Sequence, residues 1–227
     1  MNWTASSQSA RAPARFYIDA EEWTAILTSI LAICLSLTFY SVGLNPQPGQ
    51  FIFMMLVFAL TVGPGFVLHE MAHKYVANRF GARARFEAWL WGLLLMLALA
   101  IVPQILWKTT FGLFLAPGAV MIFASRIDRQ QNGLISVAGP MMNLLLAAMF
   151  FVASIIVVGG ADLGTATSLN ATLTMIFVMG TKVNLGLALF NLLPIFPLDG
   201  IKVLLWDWKV WLPLFALALL GSSFLGF

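Results

Sequence analysis

Phe51-Ile52-Phe53-Met54-Met55-Leu56-Val57-Phe58-Ala59-Leu60-Thr61-Val62-Gly63-Pro64-Gly65-Phe66-Val67-Leu68-His69-Glu70-Met71-Ala72-His73-Lys74-Tyr75-Val76 is an apolar run that carries two histidines and a glutamate near its end. Its length exceeds the roughly 20 residues a helix needs to cross a bilayer. On a helix, positions four apart share a face at about 5–6 Å, so His69 and His73 can reach one tetrahedral metal ion. Glu70 can then serve as general base toward a water that zinc brings to a pKa of about 7. The five-residue word alone is only moderately specific, because it also arises by chance in soluble proteins. At the inner end of an apolar span, however, ionisable groups are costly and mark function.

The rest of the chain shares this apolar character. Apolar residues make up 61% of its 227 positions and charged residues 9%, whereas soluble domains carry about a quarter charged residues. Such a composition belongs to an all-α membrane protein with about six transmembrane helices, and leaves no room for a sizeable soluble domain. The net charge is +3 and the basic residues sit in short clusters, which argues against nucleic-acid binding. Cys34 has no partner and reads as an inert thiol in an apolar run. Residues 1–22 are polar, lack a small-residue cleavage site and end on Glu21-Glu22, so they read as a cytoplasmic N-terminal tail before a retained anchor. Residues 23–227 then form a single polytopic domain.

Further apolar runs divide that domain. The first extends from Trp23 to about Leu44 and closes on Asn45-Pro46-Gln47-Pro48-Gly49. Gly63-Pro64-Gly65 marks a kink or restart in the second. Trp89–Leu106 and Phe111–Ala124 form an ambiguous pair, read either as two helices or as a re-entrant or short β segment near 85–125. Leu134–Val158, Leu169–Leu193 and Trp211–Phe227 follow. Lys74, Arg79, Arg83 and Arg85 cluster after the second run, Arg11 and Arg15 precede the first, and Arg126 and Arg129 precede the Leu134 run. The 45–50 turn is uncharged, and the Gly159–Thr167 loop carries only Asp162. This bias puts the basic ends and the N-terminus in the cytoplasm. His73 lies about 10 Å along a helix from Arg79, so the chemistry sits near the cytoplasmic side.

A catalytic zinc site needs a third protein ligand and an open position. With no further histidine and one distant cysteine, that ligand is a carboxylate or is absent. Glu87 stands among Arg83 and Arg85, where a solvated ion pair is the ordinary reading. Asp199 follows a helix broken by Pro194 and Pro197, at the depth where the second span ends, and is the better candidate. Asn143, Asn184 and Asn191 read on their own as polar bonds across helix interfaces.

Phe66-Val67-Leu68-His69-Glu70-Met71-Ala72-His73, with Asn191-Leu192-Leu193-Pro194-Ile195-Phe196-Pro197-Leu198-Asp199-Gly200, resembles the site-2 protease family of intramembrane zinc metalloproteases. Ala138-Gly139-Pro140-Met141-Met142-Asn143 resembles the motif that opens that family's middle core helix. The resemblance covers about residues 51–88 and 115–205. It implies a three-helix catalytic core, one zinc per chain held by His69, His73 and Asp199, and Glu70 as base. It also implies Asn143 as a catalytic helper near the substrate or developing oxyanion, and single-span membrane proteins as substrates within the lipid bilayer. Two features depart from the pattern: an apolar insertion at about 89–110, and Ile201 where a small or polar residue is common. Rival readings are a different membrane peptidase with Glu87 as third ligand, and a membrane metal carrier. A carrier has no need of Glu70.

Overall fold

The computed structural model describes residues 14–110, 117–124, 126–159 and 168–224, and these form a helical membrane protein with one two-stranded sheet. Helix α1 (Ala20–Val42) begins before the apolar run does. The Asp19 side chain accepts from the Glu22 amide at 2.8 Å, and Glu21 and Glu22 occupy the first turn, where carboxylates complement the helix dipole. Glu22 therefore belongs to the helix rather than to a tail. The helix stops at Gly43, whose φ of 79° suits glycine.

Pro48 takes the first position of α2 (Pro48–Arg79). Its 32 residues extend about 48 Å, more than the roughly 30 Å hydrocarbon layer. Of the kink or restart expected at Gly63-Pro64-Gly65, the restart does not occur, and α2 runs on through Pro64. Neighbouring helices supply polar groups there. Asn143 Nδ2 donates to the Gly65 carbonyl at 3.0 Å, and Asn184 Nδ2 reaches the Thr61 carbonyl at 3.5 Å.

The ambiguous pair resolves into two different structures. Trp89–Leu106 is the helix α3 (Leu90–Trp107), tied to α1 by Gln104 Nε2 donating to the Phe39 carbonyl at 2.9 Å. The second run is no span where it is described. Gly118–Phe123 forms β2, antiparallel to β1 (Arg83–Ala88), with Phe86 facing Val120; residues 111–116 lie outside the described residues. The close pairing explains Gly118, since a Cβ there would meet the Glu87 carbonyl oxygen.

Helices α4 (Arg129–Gly159), α5 (Ser168–Asn191), α6 (Asp199–Trp206) and α7 (Trp208–Phe224) complete the chain. The expected outer loop at 160–167 with Asp162, like Arg11, lies outside the described residues. Five helices, α1 to α5, are long and apolar enough to cross a membrane; α7 is apolar but has 17 residues. Helix α4 packs against both α2 and α5, and α5 also reaches α2, so these three form the central unit. Small residues allow close approach: a Cβ on Gly180 of α5 would meet the Phe150 ring of α4. Leu27, Leu31, Leu56, Leu60, Leu145 and Ile156 face outward, where lipid rather than water suits them. Trp89, Trp91, Trp107 and Trp208 are exposed at helix ends, as interfacial anchors are.

Candidate metal centre

The last third of α2 brings His69 and His73 onto the face that meets α4, and both are buried. His69 Nδ1 lies 2.6 Å from Asn143 Oδ1, and His73 Nδ1 lies 2.7 Å from the Ile135 carbonyl oxygen. Both partners accept, so each imidazole carries its proton on Nδ1. The Asn143 amide cannot be turned round without loss. Its Nδ2 already donates to the Gly65 carbonyl at 3.0 Å and to Asn184 Oδ1 at 3.1 Å. Both Nε2 atoms are left as lone-pair donors, 3.0 Å apart.

Asp199 meets them from the other end of the domain. After α5 the chain turns through Pro194 and Pro197, and α6 opens on Asp199. Its Oδ2 lies 2.9 Å from His73 Nε2 and 3.6 Å from His69 Nε2, while Oδ1 accepts from Lys202 Nζ at 3.2 Å. Gly200 works here by its size. A Cβ would run into the carbonyl oxygens of Leu192 and Leu193, so α6 could not close against the end of α5. Among the described residues, His69, His73 and Asp199 are the group whose ligand atoms all fall within 4.8 Å of one another.

Two neutral nitrogens and a carboxylate oxygen with converging lone pairs fit a divalent cation that prefers mixed N and O donors in a tetrahedron, as zinc does. Gly139 gives the same answer independently. A Cβ there would press on Nε2 of both histidines, so glycine keeps clear the space in front of the donors. A cavity of about 590 Å³ opens nearby, lined by Ile122, Arg129, Asn132, Lys202 and Trp206, and shares Lys202 with the centre.

Glu70 is buried one residue along the helix, and its carboxylate faces the Val120 backbone N–H on the outer edge of β2. Asn143 is fully buried, with every amide group engaged as described. Glu87 is exposed on β1, away from the buried Phe86 side, and is not part of the donor group. Sequence reasoning missed Ile135, Val120 and Lys202, and it quoted Gly139 within a motif without seeing its role at the donors. Three act through backbone or through a missing Cβ, which no side-chain chemistry signals. Lys202 could have been found from its i,i+3 spacing to Asp199.

A sequence model described as "Peptidase family M50" matches residues 57–210. The protein "Putative zinc metalloprotease MJ0611" of Methanocaldococcus jannaschii is 34% identical over 213 residues, covering 93% of this chain and 95% of that protein. The protein "Putative zinc metalloprotease YwhC" of Bacillus subtilis is 32% identical over 161 residues, covering 66% of this chain and 68% of that one. No solved structure matches.

Proposed function

We propose, since the chain belongs to peptidase family M50, that this zinc metalloprotease is an endopeptidase cutting its substrates in or near their transmembrane helices, at His69, Glu70, His73 and Asp199. One observation carries the reading: three buried metal donors converge beside a buried carboxylate on a helix long and apolar enough to cross a membrane. Bound zinc supplies Lewis acidity, which makes a nearby water acidic near neutral pH and polarises a carbonyl. Within the chain, His69 and His73 bind through Nε2, and Asn143 and the Ile135 carbonyl hold their tautomers. Asp199 offers Oδ2 while Lys202 holds Oδ1. Glu70 takes the proton of the attacking water and passes it to the departing amine, with Val120 N–H holding its carboxylate in place. Asn143 acts by orienting His69, since a role at an oxyanion would take Nδ2 from Gly65 and Asn184. The metal-carrier reading accounts for neither Glu70 nor the want of a second ligand cluster among the described residues.

Purified protein incubated with a panel of single-span substrates is expected to yield fragments whose new termini map to the substrate span or its margin. A chelator should stop cleavage and added zinc restore it. Fragments arising only in soluble peptides, or cleavage indifferent to the chelator, would overturn the reading.

The basic bias further supports a cytoplasmic N-terminus and a centre near that face. Lys74, Arg79, Arg83, Arg85 and Arg129 gather at the end of the bundle where the sheet lies, while the 45–50 turn is uncharged. Cys34 is buried, so single cysteines introduced at exposed sites report against a low background. A membrane-impermeant maleimide added to intact cells should label Gln47→Cys and spare Arg83→Cys; the reverse pattern inverts the topology.

A further inference from the structure

Lys74 and Glu22 are large polar residues buried as completely as any core side chain, each 1% exposed, and the reaction outlined above uses neither. Lys74 Nζ donates to Glu22 Oε2 at 2.5 Å and lies 5.4 Å from the centre of the Phe16 ring. The other oxygen, Glu22 Oε1, accepts the Phe86 backbone N–H of β1 at 3.0 Å. Phe86 faces Val120 across the sheet, and the Val120 N–H points to Glu70. Facing residues whose N–H groups both turn outward form a non-hydrogen-bonded pair of an antiparallel ladder. The two-stranded ribbon is thus fastened by Glu22 on the β1 side, and at the same pair of positions its β2 side faces Glu70. The Phe86 ring, fully buried, meets Phe66 of α2 edge-on at 5.4 Å. A two-stranded ribbon is marginal by itself and takes its position from what it is fastened to.

From this we infer that Glu22, held in place by Lys74, is a positioning residue for Glu70. It fixes the outer edge of β1, and through the Phe86–Val120 pair it sets the N–H that orients the Glu70 carboxylate. Lys74 gives the Glu22 carboxylate a counter-charge that makes its burial tolerable, and ties the start of α1 to the residue next to His73. The inference rests on Glu70 as proton acceptor, but the fastening itself can be tested apart from activity.

Glu22→Leu alone would strand a buried ammonium, so the variants are paired. Glu22→Leu with Lys74→Met removes the charges and the acceptor. Glu22→Gln with Lys74→Met removes the charges but keeps an oxygen for the Phe86 N–H. The first pair is expected to bind the wild-type amount of zinc, keep KM and lose about 10- to 100-fold in kcat, the range for loss of an orienting partner. Its peptides over 83–88 and 118–123 should exchange amide hydrogens faster. The second pair should return kcat to within a few-fold of wild type and restore slow exchange. Wild-type kcat in the Leu/Met protein, or equal loss of kcat in both pairs, overturns the positioning role. Unchanged exchange over 83–88 and 118–123 in the Leu/Met protein overturns the fastening, whatever the protein proves to cleave.

Discussion

Glu70→Gln is expected to keep its full complement of zinc and lose between about 100- and 10,000-fold in kcat, the span that general-base catalysis contributes. The amide is the same size as the carboxylate, so it should fit the buried site and can turn its oxygen toward the Val120 N–H. It cannot take a proton from water at neutral pH. Metal content and turnover should therefore separate, with elemental analysis unchanged while fragment production falls away. Turnover close to wild type would move the base elsewhere. Loss of zinc together with activity would instead make Glu70 a ligand or a structural support.

Asp199→Asn should separate differently, because it strikes the metal before the chemistry. Removing an outer partner of a metal ligand costs about 10- to 100-fold in affinity, and weakening a ligand itself should cost more than that. The carboxylate also supplies the negative charge among the three donors, and an uncompensated cation in a buried site is costly. Zinc retention during dialysis against a graded chelator is the measurement. Glu87→Gln, made alongside, should leave retention and cleavage as they were, because Glu87 is exposed on β1 and outside the donor group. Tight zinc in Asp199→Asn, or weak zinc in Glu87→Gln, would reverse the assignment of the third ligand.

The chain shows some of this architecture openly and hides the rest for identifiable reasons. His69 and His73 are legible because helical periodicity puts i and i+4 on one face wherever the helix lies. Asp199 is legible because carboxylates are scarce and this one follows a proline-broken helix end. Gly118–Phe123 is all but uniformly apolar, so it lacks the alternation that separates a half-buried strand from a helix; only its pairing with β1 decides the matter. Pro64 reads as a kink or restart of the helix because proline removes a donor, yet α2 continues, and Asn143 and Asn184 arrive from other helices to serve the neighbouring carbonyls. Lys74 and Glu22 each have an ordinary local reading, one in a basic cluster after a span and one in a polar leader. Their meeting across 52 residues is a tertiary fact. Gly139 and Gly200 act through atoms they lack, and what a missing Cβ would have touched is invisible until the partners are in place.

The three candidate metal donors come from α2 and from the first residue of α6, with five further elements threaded between them. During synthesis the histidine pair enters the bilayer early, while its carboxylate partner is still untranslated or inside the ribosome. A growing chain that has reached only α4 holds two imidazoles and no third donor. The insertion machinery therefore handles a nascent protein whose candidate centre stays incomplete until α6 has been made.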